Sequence, residues 1–247
     1  MLVVTYNVNS LLTRLPRLIS LLELHRPDVA LVQETKSTPE GFPHLPLQAA
    51  GYIAADHSAG RWAGVAILAR SELGIAEVTT GLPGEPEPAQ ARWMEATVGE
   101  VRFASVYVPN GRLVGSDEFV AKLRFLEAMA DRAAALAAGP AIVAGDFNVC
   151  PTDLDVWDTT QVHGATHITP EERTRWSAVR DTGFTDAFRH LNPDEPGFTW
   201  WDYRAGHFPK GYGLRIDHAL VSTHLADRLE AATVERAYRK VSTVPGT

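Results

Sequence analysis

Residues 141–148 read Ala-Ile-Val-Ala-Gly-Asp-Phe-Asn. A short apolar run bounded by turn residues predicts a buried strand over Ala141–Ala144. That strand delivers Gly145-Asp146-Phe147-Asn148 into a loop, where Gly145 allows a tight exit. Asp146 and Asn148 occupy alternate positions and therefore face the same side. Just before it, Gly139-Pro140 ends a helix that Ser116 caps and that runs from Asp117 to about Ala138. Glu118 stands in its first turn, and Phe119, Leu123, Leu126, Ala130 and Ala133 form the expected buried stripe. A helix, a break, a buried strand and a polar loop together predict α/β layers.

The same unit recurs outward from this stretch. Leu2–Val8 is an apolar opening strand, followed by Leu15, Leu18, Ile19 and Leu22 at helical spacing, with Arg14, Arg17 and Glu23 on the other face. His25-Arg26-Pro27-Asp28 stops that helix, and Val29–Val32 is a second buried strand with Gln33-Glu34-Thr35-Lys36 at its end. A Pro/Gly-rich loop spans Pro39–Pro46. Gly64–Ala69 and Ala96–Val108 read as further strands, separated by the acidic loop Gly81–Ala89. Thr169-Pro170-Glu171-Glu172 has helix-start chemistry, opening a helix with Trp176, Val179 and Arg180. Phe198–Trp201 and Ile216–Ser222 are late strands. No linker or composition break interrupts residues 1–247, so a single α/β domain is expected. Asn-bearing loops at Asn7 and Asn148 hint at a pseudo-symmetric sandwich.

Composition bounds the classes. Of 247 residues, 45% are apolar and 21% charged, which excludes a disordered or collagen-like chain. A single cysteine, Cys150, excludes an internal disulfide framework. The longest apolar runs, such as Ala63–Ala69, fall far short of the ~20 residues a membrane helix needs. The first ten residues have neither a basic flank nor a long apolar block. A soluble, cytoplasmic chain without a membrane partner is expected. The net charge of −7 weighs only weakly against nucleic acid, because phosphates respond to the local field of a site.

Four polar clusters stand at strand ends: Asn7-Val8-Asn9, Gln33-Glu34, Gly145-Asp146-Phe147-Asn148 and Arg215-Ile216-Asp217-His218. Rigid strands can make such side chains converge above a sheet edge, an arrangement that suits metal-assisted catalysis. Asp, Glu and Asn are hard oxygen donors and favour Mg²⁺ or Mn²⁺ over Zn²⁺. Each cluster also has a plainer reading. Asn7 could cap the following helix, Glu34 could be solvated, and Asp217 could pair with Arg215. Phe198-Thr199-Trp200-Trp201-Asp202-Tyr203-Arg204 reads either as core and rim of a strand or as a platform that stacks on a base. Tyr107-Val108-Pro109-Asn110-Gly111 ends a strand with a phenol and an amide able to donate to a phosphate. Eight histidines read as surface or loop residues, His167 among them. His218 stands apart beside Asp217, although adjacent strand residues face opposite sides.

Taken in order, TYNVNS (5–10), RPDVALVQETK (26–36), GVAIL (64–68), VYVPNG (106–111), GDFNVCPTDLDVW (145–157), TPEERTRW (169–176), GFTDAFR (183–189), FTWWDYR (198–204) and GLRIDHALVS (213–222) resemble one group. This is the exodeoxyribonuclease III-type apurinic/apyrimidinic (AP) endonucleases, of the endonuclease/exonuclease/phosphatase superfamily. The resemblance implies a four-layered α/β sandwich, two mixed sheets flanked by helices. It implies a DNA-repair phosphodiesterase that cuts 5′ to AP sites and trims 3′ ends, with Mg²⁺ as cofactor and Mn²⁺ as a substitute. Its partner would be double-stranded DNA with abasic sites or blocked 3′ ends, and the protein would act as a monomer.

The resemblance also implies roles. Glu34 would hold the metal, with Asn9 near it. Asn7 would orient Asp146, which aligns or deprotonates the attacking water beside Asn148. Tyr107 and Asn110 would bind the scissile phosphate. Asp217 would orient a phosphate-contacting histidine. Trp200 and Leu214 would line the pocket for the baseless sugar, and Phe208 and Arg112 would touch the duplex. That group ends in a Ser-Asp-His strand about thirty residues beyond the aspartate. Here 30 residues follow Asp217 and none carries that motif. The motif is therefore expected beyond residue 247, since His218 faces the wrong way. A non-catalytic nucleic-acid-binding relative and another phosphodiesterase of the superfamily are the alternative readings.

Overall fold

Two runs of apolar strands set the frame. The computed structural model describes residues 1–203 and 206–239, so Arg204 and any strand beyond 239 lie outside the described residues. The first sheet holds β1 (Val3–Asn7), β2 (Val29–Gln33), β3 (Tyr52–His57) and β4 (Val65–Arg70), ordered β1-β2-β4-β3. The second holds β5 (Ala76–Thr80), β6 (Trp93–Val98), β7 (Val101–Tyr107), β8 (Ala141–Asp146), β9 (Phe184–Asp186) and β12 (Asp217–Ser222), ordered β5-β6-β7-β8-β12-β9. Between β9 and β12 in sequence lies a two-stranded ribbon of β10 (Trp200–Trp201) and β11 (Gly213–Leu214).

Period-two alternation divides each strand between two cores. Val29, Leu31, Val65 and Ile67 of the first sheet meet Met94, Ala96, Phe103, Ile142, Ala144 and Val221 of the second. Ala30, Val32, Ala66 and Leu68 face outward, onto Leu11, Leu18, Leu21 and Leu22 of α1 (Leu11–His25). Beyond the short α2 (His44–Ala49), α3 (Asp117–Leu136) and α4 (Pro170–Asp181) cover the far face of the second sheet. There Phe125, Leu126, Met129, Trp176 and Val179 pack on Ala104, Val106, Val143 and Leu220. The four expected layers are thus present. The short helices α5 (Ala187–Leu191), α6 (His207–Lys210) and α7 (Thr223–Ala226) complete the chain.

The helix starts follow their sequence chemistry. The Phe119 amide donates to Ser116 Oγ at 3.2 Å, and Thr169 with Glu172 forms a reciprocal capping box. Four expectations change. The segment Ala96–Val108 is a hairpin of β6 and β7, reversing at Gly99, whose φ of 60° suits the turn. The loop Pro39–Pro46 contains the start of α2. In α3 the buried face includes Lys122, Phe125 and Met129, while Leu123 and Ala130 are only half-buried. An apolar stripe could not reveal Lys122, whose burial depends on partners from other loops. Gly145 lies within β8 rather than at a loop exit. A Cβ there would fall 1.9 Å from the Val106 carbonyl oxygen, so close strand approach is what demands glycine.

Each sheet contains one parallel central pair. β1 and β2 run parallel with Asn7 beside Gln33, and β7 and β8 run parallel with Tyr107 beside Asp146. Both pairs end at the same side of the sandwich, and this relation underlies the hint of pseudo-symmetry. Gln33 itself turns inward: its Nε2 donates to Ser105 Oγ at 3.1 Å, tying the sheets together.

Candidate active site

The two parallel pairs bring Asn7, Glu34 and Asp146 together. One amide nitrogen, Asn7 Nδ2, donates to Glu34 Oε1 at 2.8 Å and to Asp146 Oδ2 at 2.9 Å. Asn7 Oδ1 accepts from the Asn9 backbone amide at 3.0 Å. Asn7 therefore braces carboxylates from both sheets rather than capping α1. Asp146 Oδ1 accepts from the Asn148 backbone amide at 3.0 Å. Asn148 Nδ2 donates to the Val108 carbonyl at 2.9 Å, which ties its side chain to the loop after β7. Asn110 Nδ2 reaches Asn148 Oδ1 at 3.4 Å.

The backbone here is unusual. Asn9, Ser10, Glu34, Lys36 and Asn148 hold φ values of 44°, 89°, 53°, 48° and 51°. Positive φ in Glu and Lys is costly and persists where surrounding contacts over-determine it. The turn after β2 is held by backbone bonds from Ser10 to Glu34 and from Leu11 to Thr35. Strain of this kind is concentrated on the residues that carry polar groups to the sheet edge.

Asp217 lies opposite Asp146 in the β8–β12 register. Its Oδ2 accepts from Arg239 at 3.1 Å, and Arg239 also donates to the Asn7 carbonyl at 2.9 Å. The alternative pairing of Asp217 with Arg215 does not occur. Arg215 is buried with Asp155 and Asp186 instead. His218 turns to the other face, as strand alternation requires, where its Nε2 meets the Val149 carbonyl and its ring packs on Phe147.

Electrostatics follow from burial. Desolvation pushes the Asp146 carboxyl well above the usual carboxylate range, and the charges of Asp217 and Glu34 push the same way. The Asn7 amide and the Asn148 backbone oppose them. Burial likewise raises the Tyr107 phenol far above its ordinary value, reinforced by Glu34 and Asp146. Tyr107 therefore remains a protonated donor. The Arg92 guanidinium lies over its ring at 4.6 Å.

A divalent cation needs oxygen donors, and the fit can be tested directly. The Lys36 ammonium sits between Glu34 Oε2 at 2.7 Å and Asn9 Oδ1 at 2.6 Å. The two oxygens assigned to a metal thus already face each other across a positive group. Among the described residues, no group of three or more His, Cys, Asp and Glu side chains forms a ready cage. Mg²⁺ does not require one, since it commonly takes one or two carboxylates and completes its shell with water and substrate phosphate. The donor set fits that ion.

The remaining expected residues divide. Trp200 stands opposite Leu214 in the β10–β11 pair, and both join a cluster with Cys150, Val156 and Ile216. Leu214 is buried in that cluster, whereas Trp200 is half-exposed. Phe208 packs edge-on against Trp201 at 5.1 Å, with the Arg236 guanidinium over its ring. Arg112 lies apart from the carboxylates, its side chain 77% exposed and paired with Glu118. Sequence reading assigned no role to Lys36 or Arg239. Lys36 adjoins the quoted Gln33-Glu34 pair and was findable; nothing near Arg239 marked it. His167 does lie in a loop, but it turns inward, with Nδ1 2.6 Å from the Asn148 carbonyl.

A four-layered sandwich with carboxylates and amides from both sheets converging at one edge defines a class of α/β phosphoesterases. The sequence model of the Endonuclease/Exonuclease/phosphatase family matches residues 4–237. The chain belongs to that family. It is similar to exodeoxyribonuclease III of Haemophilus influenzae, with 33% identity over 91% of this chain and 89% of that protein. Among solved structures, the 3′-5′ exonuclease NExo from Neisseria meningitidis matches with a TM-score of 0.94 and 35% identity, over 98% of this chain and 94% of the other. An AP endonuclease from Archaeoglobus fulgidus matches with a TM-score of 0.86 and 31% identity, over 92% and 89% of the two chains.

Proposed function

We propose that this chain is a divalent-metal-dependent phosphodiesterase of DNA repair. It cuts double-stranded DNA 5′ to AP sites and removes nucleotides or blocking groups from 3′ ends. The observation that carries this reading is the Asn7 bridge, which locks Glu34 of one sheet to Asp146 of the other at the shared edge.

The residues take the following parts. Asp146, its proton affinity raised by burial, aligns the attacking water and takes its proton. Asn7 and the Asn148 amide keep that carboxylate in one orientation. Tyr107, Asn110 and Asn148 donate to the non-bridging oxygens of the scissile phosphate, where negative charge grows in the transition state. A divalent ion held by Glu34 and Asn9, with Mg²⁺ the natural choice and Mn²⁺ a substitute, supplies charge neutralisation at the phosphate and the leaving 3′-oxygen. Asp217 orients a cationic partner at the other side of Asp146. Trp200, beside Leu214, forms the wall against which a sugar without its base is seated. Lost pairing at such a site lowers the cost of flipping the sugar out.

The test is cleavage of a labelled duplex with one tetrahydrofuran abasic analogue, in Mg²⁺ and in EDTA, using the complete reading frame. Metal-dependent cutting 5′ to the analogue supports the assignment. Binding without cutting would overturn it in favour of a recognition protein on this fold.

A further inference from the structure

Lys122 is a fully buried cation on α3, one turn beyond the helix start and outside every role assigned above. Taking an unpaired ammonium out of water costs several kcal/mol. This one is heavily partnered. Its Nζ donates to the Asn148 carbonyl at 2.6 Å and the Asn110 carbonyl at 3.3 Å, and forms an ion pair with Glu172. Thr166 Oγ1 and His167 Nδ1 lie at 3.3 Å.

Two of those partners matter most. Asn110 and Asn148 follow β7 and β8, the parallel pair that ends at the catalytic edge. Both are assigned to the scissile phosphate. The same ammonium thus ties the backbones of two separate site loops from behind. The remaining contacts reinforce the tie. His167 Nδ1 donates to the Asn148 carbonyl, and Thr166 Oγ1 reaches the Asn110 carbonyl at 3.1 Å. Glu172 anchors the loop through the His167 amide at 2.9 Å and belongs to the capping box of α4. Gly111 fits closely over the lysine stem: a Cβ there would lie 2.8 Å from Lys122 Cδ.

From this geometry we infer that Lys122 is a positioning residue for phosphoryl transfer, setting the spacing of Asn110 and Asn148 through their main-chain carbonyls. The inference rests on the function proposed above. A buried ion pair is weak evidence for stability, since apolar replacements of both partners often fold as well. The convergence of two loop carbonyls on one cation is what a merely structural pair would not require.

The experiment compares Lys122→Met with the double variant Lys122→Met/Glu172→Met in the full-length protein. Three quantities are measured: thermal midpoint, kcat and KM on the abasic duplex, and amide hydrogen exchange in 108–112 and 147–150. The single variant is expected to lose both stability and turnover. The double variant is expected to regain its thermal midpoint while kcat stays down by about a hundredfold, the scale of a small misplacement of catalytic groups. KM should change by less than about threefold, and exchange in both loops should remain accelerated. Recovery of turnover together with stability would overturn the inference, as would unaltered exchange in the loops. Where Lys122→Met fails to fold, Lys122→Gln and the double variant decide by the same readings. A wild-type protein that never cuts DNA would defeat the functional proposal, while the exchange data would still decide whether Lys122 ties the loops.

Discussion

Asp217 and Asp146 stand directly opposite each other across the antiparallel β8–β12 ladder, so their carboxylates share one face of the sheet. Like charges in that relation are unfavourable, and the Asp217 charge is the largest contribution after burial to the raised proton affinity of Asp146. Removing it has a definite sign. Asp217→Asn lowers the Asp146 pKa, and the basic form then persists to lower pH. The acid limb of the kcat/KM profile on an abasic duplex should shift downward, even as turnover falls through loss of the Arg239 contact. An acid limb that does not move would separate Asp217 from Asp146 electrostatically.

Asn7 acts on the same carboxylate in the opposite direction. Its amide lowers the Asp146 pKa and bridges to Glu34. Asn7→Ala should therefore move the acid limb upward and reduce kcat by about a hundredfold, comparable to losing one oriented donor. Glu34→Ala and Asp146→Ala should abolish most cleavage while the folded spectrum and thermal midpoint stay near wild type. Normal cutting by either carboxylate variant would remove the proposed centre.

Trp200 is half-exposed beside a buried Leu214, so its role divides between packing and recognition. Trp200→Ala should weaken binding to a duplex with an abasic site more than binding to an intact duplex. A base–aromatic stack is worth about 1–3 kcal/mol, or roughly tenfold to a hundredfold in affinity. Equal loss on both duplexes would assign Trp200 to the core.

Gly145 gives a prediction about the scaffold. A methyl group at this position meets the Val106 carbonyl oxygen at 1.9 Å, and β7 and β8 are held in parallel register on both sides of it. Backbone cannot yield as a flexible side chain can. Gly145→Ala should therefore destabilise by about 3 kcal/mol or more, beyond ordinary overpacking, and would be read from urea denaturation. A midpoint close to wild type would show that the two strands can separate without cost.

The layers and most of the catalytic edge were legible because both rest on local pattern. Val29–Val32 and Ala141–Ala144 are apolar runs with nowhere to go but a sheet. Asn7, Glu34, Asp146 and Asn148 follow directly where such runs end. What pattern could not reveal is partnership across the chain. Lys122 reads as the polar gap in a helix stripe until Asn110, Asn148 and Glu172 are brought around it. Arg239 is 22 residues from Asp217 in a stretch without a motif. Arg215 adjoins Asp217 in sequence, yet it lies two residues away on a strand, and a more deeply buried pair of acids claims it.

His167 shows how such a hidden network should respond to pH. Its ring is buried beside the Lys122 ammonium, and both burial and that charge depress its pKa to about 3. An unfolded histidine titrates near 6.5. Between those values the unfolded chain binds a proton that the folded protein refuses. Stability from the neutral ring is complete above pH about 6.5 and is lost progressively as pH falls toward 3. At pH 5 this amounts to about 2 kcal/mol. His167→Gln cannot take up that proton, so the fall in its thermal midpoint between pH 7.5 and pH 5 should be smaller than in the wild type. The Asn148 carbonyl still has Lys122 as a donor in the variant, which keeps the comparison to one titrating group. Identical pH dependence in the two proteins would mean that His167 is protonated in the fold, and Asn148 would then be held against a doubly charged wall instead of a single ammonium.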